Sequence, residues 1–267
     1  MHEDGSLAFW AGLEKKQSSW HRVHHQANAK IITGEFLDSS LYVLVQHPDG
    51  VYLEVLPFDA GRADTDTPFE YRLHRKVSEA QCTVTYDPAT DRTTYTLPYE
   101  VHDPIRVVTR HVTGSQYSPG VVLQVVSTSG TDVIVQGPWA LAPVWIGFPY
   151  TMRFTFSEPV LKVGEKPVIG TRVQIQRLRL KCKDTGWFQV EVSRSGVPDL
   201  ETWTYSAAEL GVATVLGAVP FGDFDVSVPI KAQAGEFSVS IVSDSHLPCR
   251  FTSAGWDFRA HIRRRQL

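Results

Sequence analysis

Arg172-Val173-Gln174-Ile175-Gln176-Arg177-Leu178-Arg179-Leu180-Lys181-Cys182-Lys183 alternates polar and apolar residues as a half-buried strand does, with one fault. The apolar set starts at Val173 and Ile175 and resumes at Leu178, Leu180 and Cys182. Successive side chains of a strand point to opposite faces, so a slip of one residue turns the second half inside out. A β-bulge near Gln176 and Arg177 absorbs the slip and keeps both halves on one face. A strand this long, apolar on one side and cationic on the other, must pair inside a sheet, and the surrounding sequence reads as all-β.

The same period runs outward from it. Met152, Phe154 and Phe156 alternate with Arg153 and Thr155. After an Asp184-Thr185-Gly186 turn come Phe188, Val190 and Val192, then Phe224, Val226 and Val228, then Phe237, Val239 and Ile241. The closing stretch puts Phe258, Ala260 and Ile262 on one face and Asp257, Arg259, His261 and Arg263 on the other. A short helix over residues 206–210, ended by Gly211, is the one helical expectation.

Upstream, short strands are predicted at residues 7–10, 20–24 and 31–36, and three hairpins follow. Residues 41–45 and 51–55 flank His47-Pro48-Asp49-Gly50, residues 82–86 and 93–97 flank 87–91, and residues 121–126 and 132–136 flank 127–131. Residues 59–69 are polar and turn-rich, and 138–149, with Pro138, Pro143 and Pro149, reads as a rigid connector. The expected fold is all-β: a partial β-propeller (one blade-like unit, 1–58), an intermediate β domain with hairpins (59–146), and a C-terminal β-sandwich- or barrel-like domain (147–267).

Bulk composition narrows the function. A hydrophobic fraction of 42% with 21% charged residues describes a folded chain, and a net charge of −3 gives no overall basic field. Cys82, Cys182 and Cys249 are far apart and odd in number, so reduced thiols are expected rather than a disulfide framework. Met1-His2-Glu3-Asp4 lacks the basic and apolar regions of a signal peptide. The most apolar stretch, residues 133–152, carries three prolines, which a membrane-spanning helix does not tolerate at that spacing.

Candidate chemistry is thin. His21, His24 and His25 are the densest histidines, yet a strand puts His24 opposite the other two and no cysteine or carboxylate adjoins them. Asp64-Thr65-Asp66 begins like a calcium loop and fails at Thr67-Pro68-Phe69. Asp223 and Asp225 share a strand face, the weak form of a paired-carboxylate signal for glycoside hydrolysis. Ser193-Arg194-Ser195-Gly196 lacks the first glycine of a nucleophile elbow, and no phosphate loop occurs. Arg177, Arg179, Lys181 and Lys183 share a face, and Arg263, Arg264 and Arg265 close the sequence; ion pairing or a wetted outer face is favoured over phosphate contact. Trp139, Trp145, Trp187 and Trp203 read as core or interface anchors. No catalytic residue, metal site or cofactor is expected.

Four passages together resemble the tail nozzle proteins (tail tubular protein B) of short-tailed phages. They are His2-Glu3-Asp4-Gly5-Ser6-Leu7-Ala8-Phe9 with Glu14 to Lys16 and Trp20-His21; Glu35-Phe36-Leu37-Asp38-Ser39-Ser40-Leu41-Tyr42-Val43-Leu44-Val45 with Val51-Tyr52-Leu53-Glu54; Thr94-Tyr95-Thr96-Leu97-Pro98-Tyr99 with Ile146-Gly147-Phe148-Pro149-Tyr150; and Asp244-Ser245-His246-Leu247-Pro248 with Trp256 and the basic end. His246 stands where the family's D-S-P-L-P pattern has proline. Family members are longer, and the sequence is similar to their C-terminal part. The resemblance implies a virion tail protein made in the host cytoplasm, without enzymatic activity or stable membrane insertion. It further implies a sixfold homo-oligomeric ring that contacts the tail adaptor and fibres and forms the distal conduit for DNA ejection, touching DNA transiently and without sequence preference. A second nozzle chain, or a missing N-terminal part, would complete the propeller. A carbohydrate-binding or glycan-degrading tail component is the alternative.

Overall fold

The computed structural model describes residues 7–13, 17–23, 29–57, 70–160, 162–163, 166–167, 172–207 and 222–261. The chain divides into two compact units, Met1–Phe148 and Pro149–Leu267. Every strand pairing in both is antiparallel. Apart from one turn of 3-10 helix at Glu79–Gln81, strands are the only regular elements among the described residues. The all-β expectation holds.

The first unit opens with the hairpin β1 (Leu7–Leu13) and β2 (Gln17–Val23), of which backbone pairing alone is described. A three-stranded meander follows: β3 (Lys30–Leu37), β4 (Ser40–His47) and β5 (Gly50–Pro57). Its second turn is the predicted one. Asp38, at φ +53°, bends β3 into β4, and Pro48-Asp49 joins His47 to its register partner Gly50. The five strands therefore fall into two sheets.

Residues 70–148 form a pair of four-stranded sheets over one core. The strands are β6 (His74–Ser78), β7 (Thr83–Asp87), β8 (Arg92–Thr96), β9 (Arg106–Thr109), β10 (Val122–Leu123), β11 (Val125–Ser129), β12 (Asp132–Gln136) and β13 (Val144–Phe148). One sheet runs β10-β9-β13-β6 and the other β11-β12-β8-β7. Val77, Val107, Val144 and Ile146 of the first meet Tyr95, Val133 and Val135 of the second. At roughly 1.5–3 kcal/mol per fully buried large side chain, this shared face holds the two sheets together.

Two sequence expectations are corrected here. Residues 138–149 are not only a connector: Val144–Phe148 is a core strand between β9 and β6, with Val144, Ile146 and Phe148 buried. Pro143 and Pro149 bracket it, so the prolines mark its ends rather than its absence. The strand expected over 121–126 is two strands, β10 in one sheet and β11 in the other, parting at Gln124. The hairpin turn then sits at Gly130 (φ +58°), with Ser129 opposite Asp132.

The second unit contains β14 (Met152–Thr155), a small hairpin of β15 (Lys162–Val163) and β16 (Lys166–Pro167), then β17 (Arg172–Thr185), β18 (Trp187–Arg194), β19 (Glu201–Ser206), β20 (Gly222–Gln233), β21 (Phe237–Ser243) and β22 (Phe251–His261). A β14-β21-β18-β19 sheet faces a β20-β17-β22 sheet. Phe188 of β18 crosses the gap, stacked on Phe224 at 6.3 Å and edge-on to Phe251 at 5.0 Å. Phe156 and Phe237 do the same around Trp256, at 5.5 and 5.9 Å. No described sheet closes into a barrel, so the arrangement is a sandwich.

The predicted bulge is present. The register of β17 shifts between Ile175 and Arg177 against both neighbours, leaving Gln176 as the extra residue opposite Phe258 and Asp257 of β22. Val173, Ile175, Leu178, Leu180 and Cys182 are then all buried on one side. Gly186 carries the chain from one sheet to the other. A Cβ there would stand 2.6 Å from that of Leu247, a separation no side chain tolerates. The short helix expected over 206–210 falls largely outside the described residues; Ser206 ends β19.

Candidate functional site

The structure disperses most of the candidate chemistry. His21 lies on β2, whose side chains are not described, and His24, His25, Asp64, Asp66 and Arg263 to Arg265 lie outside the described residues. Asp223 and Asp225 are both exposed on β20 and do separate jobs. Asp223 Oδ1 accepts a 2.9 Å hydrogen bond from the Asp184 backbone N–H, and Asp225 lies in register with Lys181. Among the described residues no cluster of His, Cys, Asp or Glu has the makings of a metal site. The three thiols are free. Burial pushes Cys82 up to about 11 and Cys182 and Cys249 up to about 12, which keeps them protonated and unreactive.

Trp139, Trp145, Trp187 and Trp203 are half-buried. Trp139 packs on the core of 70–148 and donates its indole N–H to the Gln136 carbonyl at 2.7 Å, and Trp203 packs on the core of the second unit. Trp145 stands on the outward side of β13 between two cations, Lys76 at 4.8 Å and Arg110 at 5.4 Å from its ring centre. Arg110 also grips Glu79 in a two-pronged ion pair, at 2.6 and 3.2 Å, and Glu79 accepts the Val144 N–H at 2.9 Å. Burial raises the Glu79 carboxyl, but these bonds outweigh it and hold it below its ordinary value.

What remains is surface, of two kinds. On the β3-β4-β5 meander the centre of the inner face is buried: Ile31, Leu41, Val43 and Val45 are at most 4% exposed. The outer face is polar along most of β3, with Lys30, Thr33 and Glu35, and apolar along β5. Leu37 of β3, Leu44 of β4, and Val51, Leu53 and Val55 of β5 share it by register. Leu53 is 69% exposed, Leu37 62% and Val51 54%. Apolar side chains gathered on one face mark a surface that meets another surface.

A buried cation fastens this meander to the rest of its unit. The Arg75 side chain, 6% exposed, lies between the rings of Tyr52 and Tyr99, at 4.4 and 4.1 Å. It approaches Asp49 at 3.6 Å and Glu54 at 3.9 Å. Tyr99 donates to the Arg75 carbonyl at 2.6 Å, and Tyr52 donates to Asp49 at 2.9 Å. Burial raises the Asp49 carboxyl, yet Tyr52, the Arg75 charge and the Glu100 N–H keep it below its ordinary value. Sequence reading missed this clamp, because its members lie far apart and no local spacing announces them.

The second kind of surface is cationic. Arg177, Arg179, Lys181 and Lys183 do share the outer face of β17, all exposed, as the alternation requires.

Closed cores and outward-facing sheet surfaces of defined chemistry make this an all-β protein organised around contact surfaces. Comparison with protein families makes the class particular: the model of the bacteriophage nozzle protein matches residues 8–267, nearly the whole chain, and the chain belongs to that family. It is a structural component of a phage tail. No curated protein matches it. No helix among the described residues is long and apolar enough to cross a membrane.

Proposed function

We propose that the chain is a subunit of a sixfold nozzle ring at the distal end of a short phage tail, below the adaptor and beside the fibres. It lines the conduit through which genomic DNA leaves and holds it shut until host contact. Its role is structural, without an enzymatic step. The observation that carries the reading is the family match over residues 8–267. The apolar part of the outer face of β3-β4-β5 supports it, since a ring of identical subunits closes through head-to-tail contacts between unlike patches.

In this reading the protein has three working segments. Residues 1–58 are a blade-like element that packs against further blades, supplied by a second chain or by more of the same protein. Residues 59–146 form the intermediate domain, and 147–267 the C-terminal sandwich. A solitary blade leaves faces and edges uncovered, which Leu37, Val51 and Leu53 illustrate.

Electron microscopy of purified tails beside the isolated protein tests the assignment. Sixfold rings at the tail tip, labelled by an antibody to this chain, are the expected result. Absence of the chain from tails overturns it, and release of reducing ends from host polysaccharide would put the glycan-degrading alternative in its place.

A further inference from the structure

We infer that the outer face of the β20-β17-β22 sheet is a docking surface for the phosphate backbone of duplex DNA. The inference rests on the conduit reading above and adds the residues that meet the DNA. The Gln176 bulge matters first. Before it the outward residues of β17 are Arg172 and Gln174; after it they are Arg177, Arg179, Lys181 and Lys183, all exposed. Arg259 of β22 lies beside Gln174 in register and is exposed too. Without the bulge, the cations on its two sides would point to opposite faces. With it they form one row, about 36 Å long from Arg172 to Lys183 at a strand's rise, close to one turn of duplex.

The neighbours of the row are small. Arg179 is flanked by Ser227 and Gly255, and Lys181 has Ser253 on one side, so the cationic side chains stand above their surroundings. Three carboxylates share the face and neutralise little of it. Asp257 pairs with Arg179 at 2.7 Å, Asp223 serves the Asp184 N–H, and Asp225 lies opposite Lys181 without forming an ion pair. Arg177, Lys181 and Lys183 have no ion pair among the described residues. The opposite sheet of the sandwich is the internal control. Its outward residues include Thr155, Gln189, Ser193, Thr202 and Thr204, with Arg153 held by Glu191 at 2.7 Å.

Charge is also divided along the chain. Residues 149–267 carry a net +3 (15 Lys and Arg, 12 Asp and Glu) and residues 1–148 a net −6 (11 and 17). Unpaired cations in a line suit a line of phosphates. Apart from His261, in register with Arg172 at the end of the row, the outward residues of this face bring no aromatic ring, which single strands and sugars would need for stacking.

The test is binding of a fluorescent 30-base-pair duplex of random sequence to the full chain, followed by anisotropy across a salt series. Wild type is expected to bind at low salt with an affinity that falls steeply as salt rises. The R177T/K181T/K183T variant should flatten the slope of log K against log salt by about 2.7, at 0.9 for each phosphate no longer neutralised. Asp257→Asn, which frees Arg179, should steepen it by about 0.9. Arg153→Thr, on the opposite sheet, should change nothing. Circular dichroism of each variant confirms the fold. Equal binding by wild type and the triple variant overturns the inference, as does binding to phosphatidylglycerol vesicles without binding to duplex. Sixfold rings at the tail tip with no duplex binding would remove this inference and leave the nozzle reading standing; duplex binding by a chain absent from tails would do the reverse.

Discussion

The meander β3-β4-β5 and the sheet β20-β17-β22 are built on one plan and finished differently. Each alternates, each has three strands, and each buries the centre of its inner face: Val43 and Val45 in one, Leu178 and Val228 in the other, are 0% exposed. Outward, the first shows Leu37, Val51 and Leu53 to solvent, and the second shows Arg177, Lys181 and Lys183. Inner faces answer to folding, since apolar burial there is the main driving force. Outer faces are free to answer to a partner, and here a partly apolar one and a cationic one imply partners of different chemistry.

The comparison breaks first if the inner faces are not equivalent. Phe188→Ala, beneath the cationic sheet, should destabilise the second unit by about 3–5 kcal/mol in urea denaturation. Arg75→Ala should cost the first unit a similar amount, about 3–5 kcal/mol, because Asp49 loses its buried cation. The acid side of this clamp, together with the Glu79–Arg110 pair, is a pH prediction. Asp49 and Glu79 both have carboxyls held below their ordinary values, so the stability they contribute is fully present above those values. It is lost as the pH falls through the lowered ones. Thermal melts of the first unit should therefore drop on acidification below the ordinary carboxylate range, and less so in Glu79→Gln.

Leu53→Asp sharpens the contrast from outside. It should leave the chain's own stability within about 0.5 kcal/mol, because its site is 69% exposed, and under the proposed ring assembly it should reduce ring formation in sedimentation velocity. The smallest effect belongs to the thiols. Cys82, Cys182 and Cys249 should stay unmodified by a disulfide reagent at neutral pH and react on unfolding in urea.

Alternation made much of this legible in advance. The phase fault between Ile175 and Leu178 placed a bulge near Gln176 and Arg177, where the structure has it, and the Asp-Gly hairpin at Asp49-Gly50 fixed a register. β13 was obscured because Pro143 and Pro149 look like breakers from sequence, although they bracket the strand without entering it. The Arg75 clamp was invisible for another reason: residues 49, 54, 75 and 99 belong to separate segments and converge only in the folded unit. The cationic row was readable as a face. That three of its members lack carboxylate partners was not, since Asp225 sits opposite Lys181 in register and still makes no ion pair.

β17 has one more consequence, and it is mechanical. It is bonded on both sides, to β20 between Gln174 and Thr185 and to β22 between Arg172 and Cys182. A pull along such a strand loads its backbone hydrogen bonds together, in shear, whereas a pull across an edge strand peels them one at a time. Tension along β17 is thus borne in parallel by two ladders, and the strand that carries the charge is also the strongest tie in its domain.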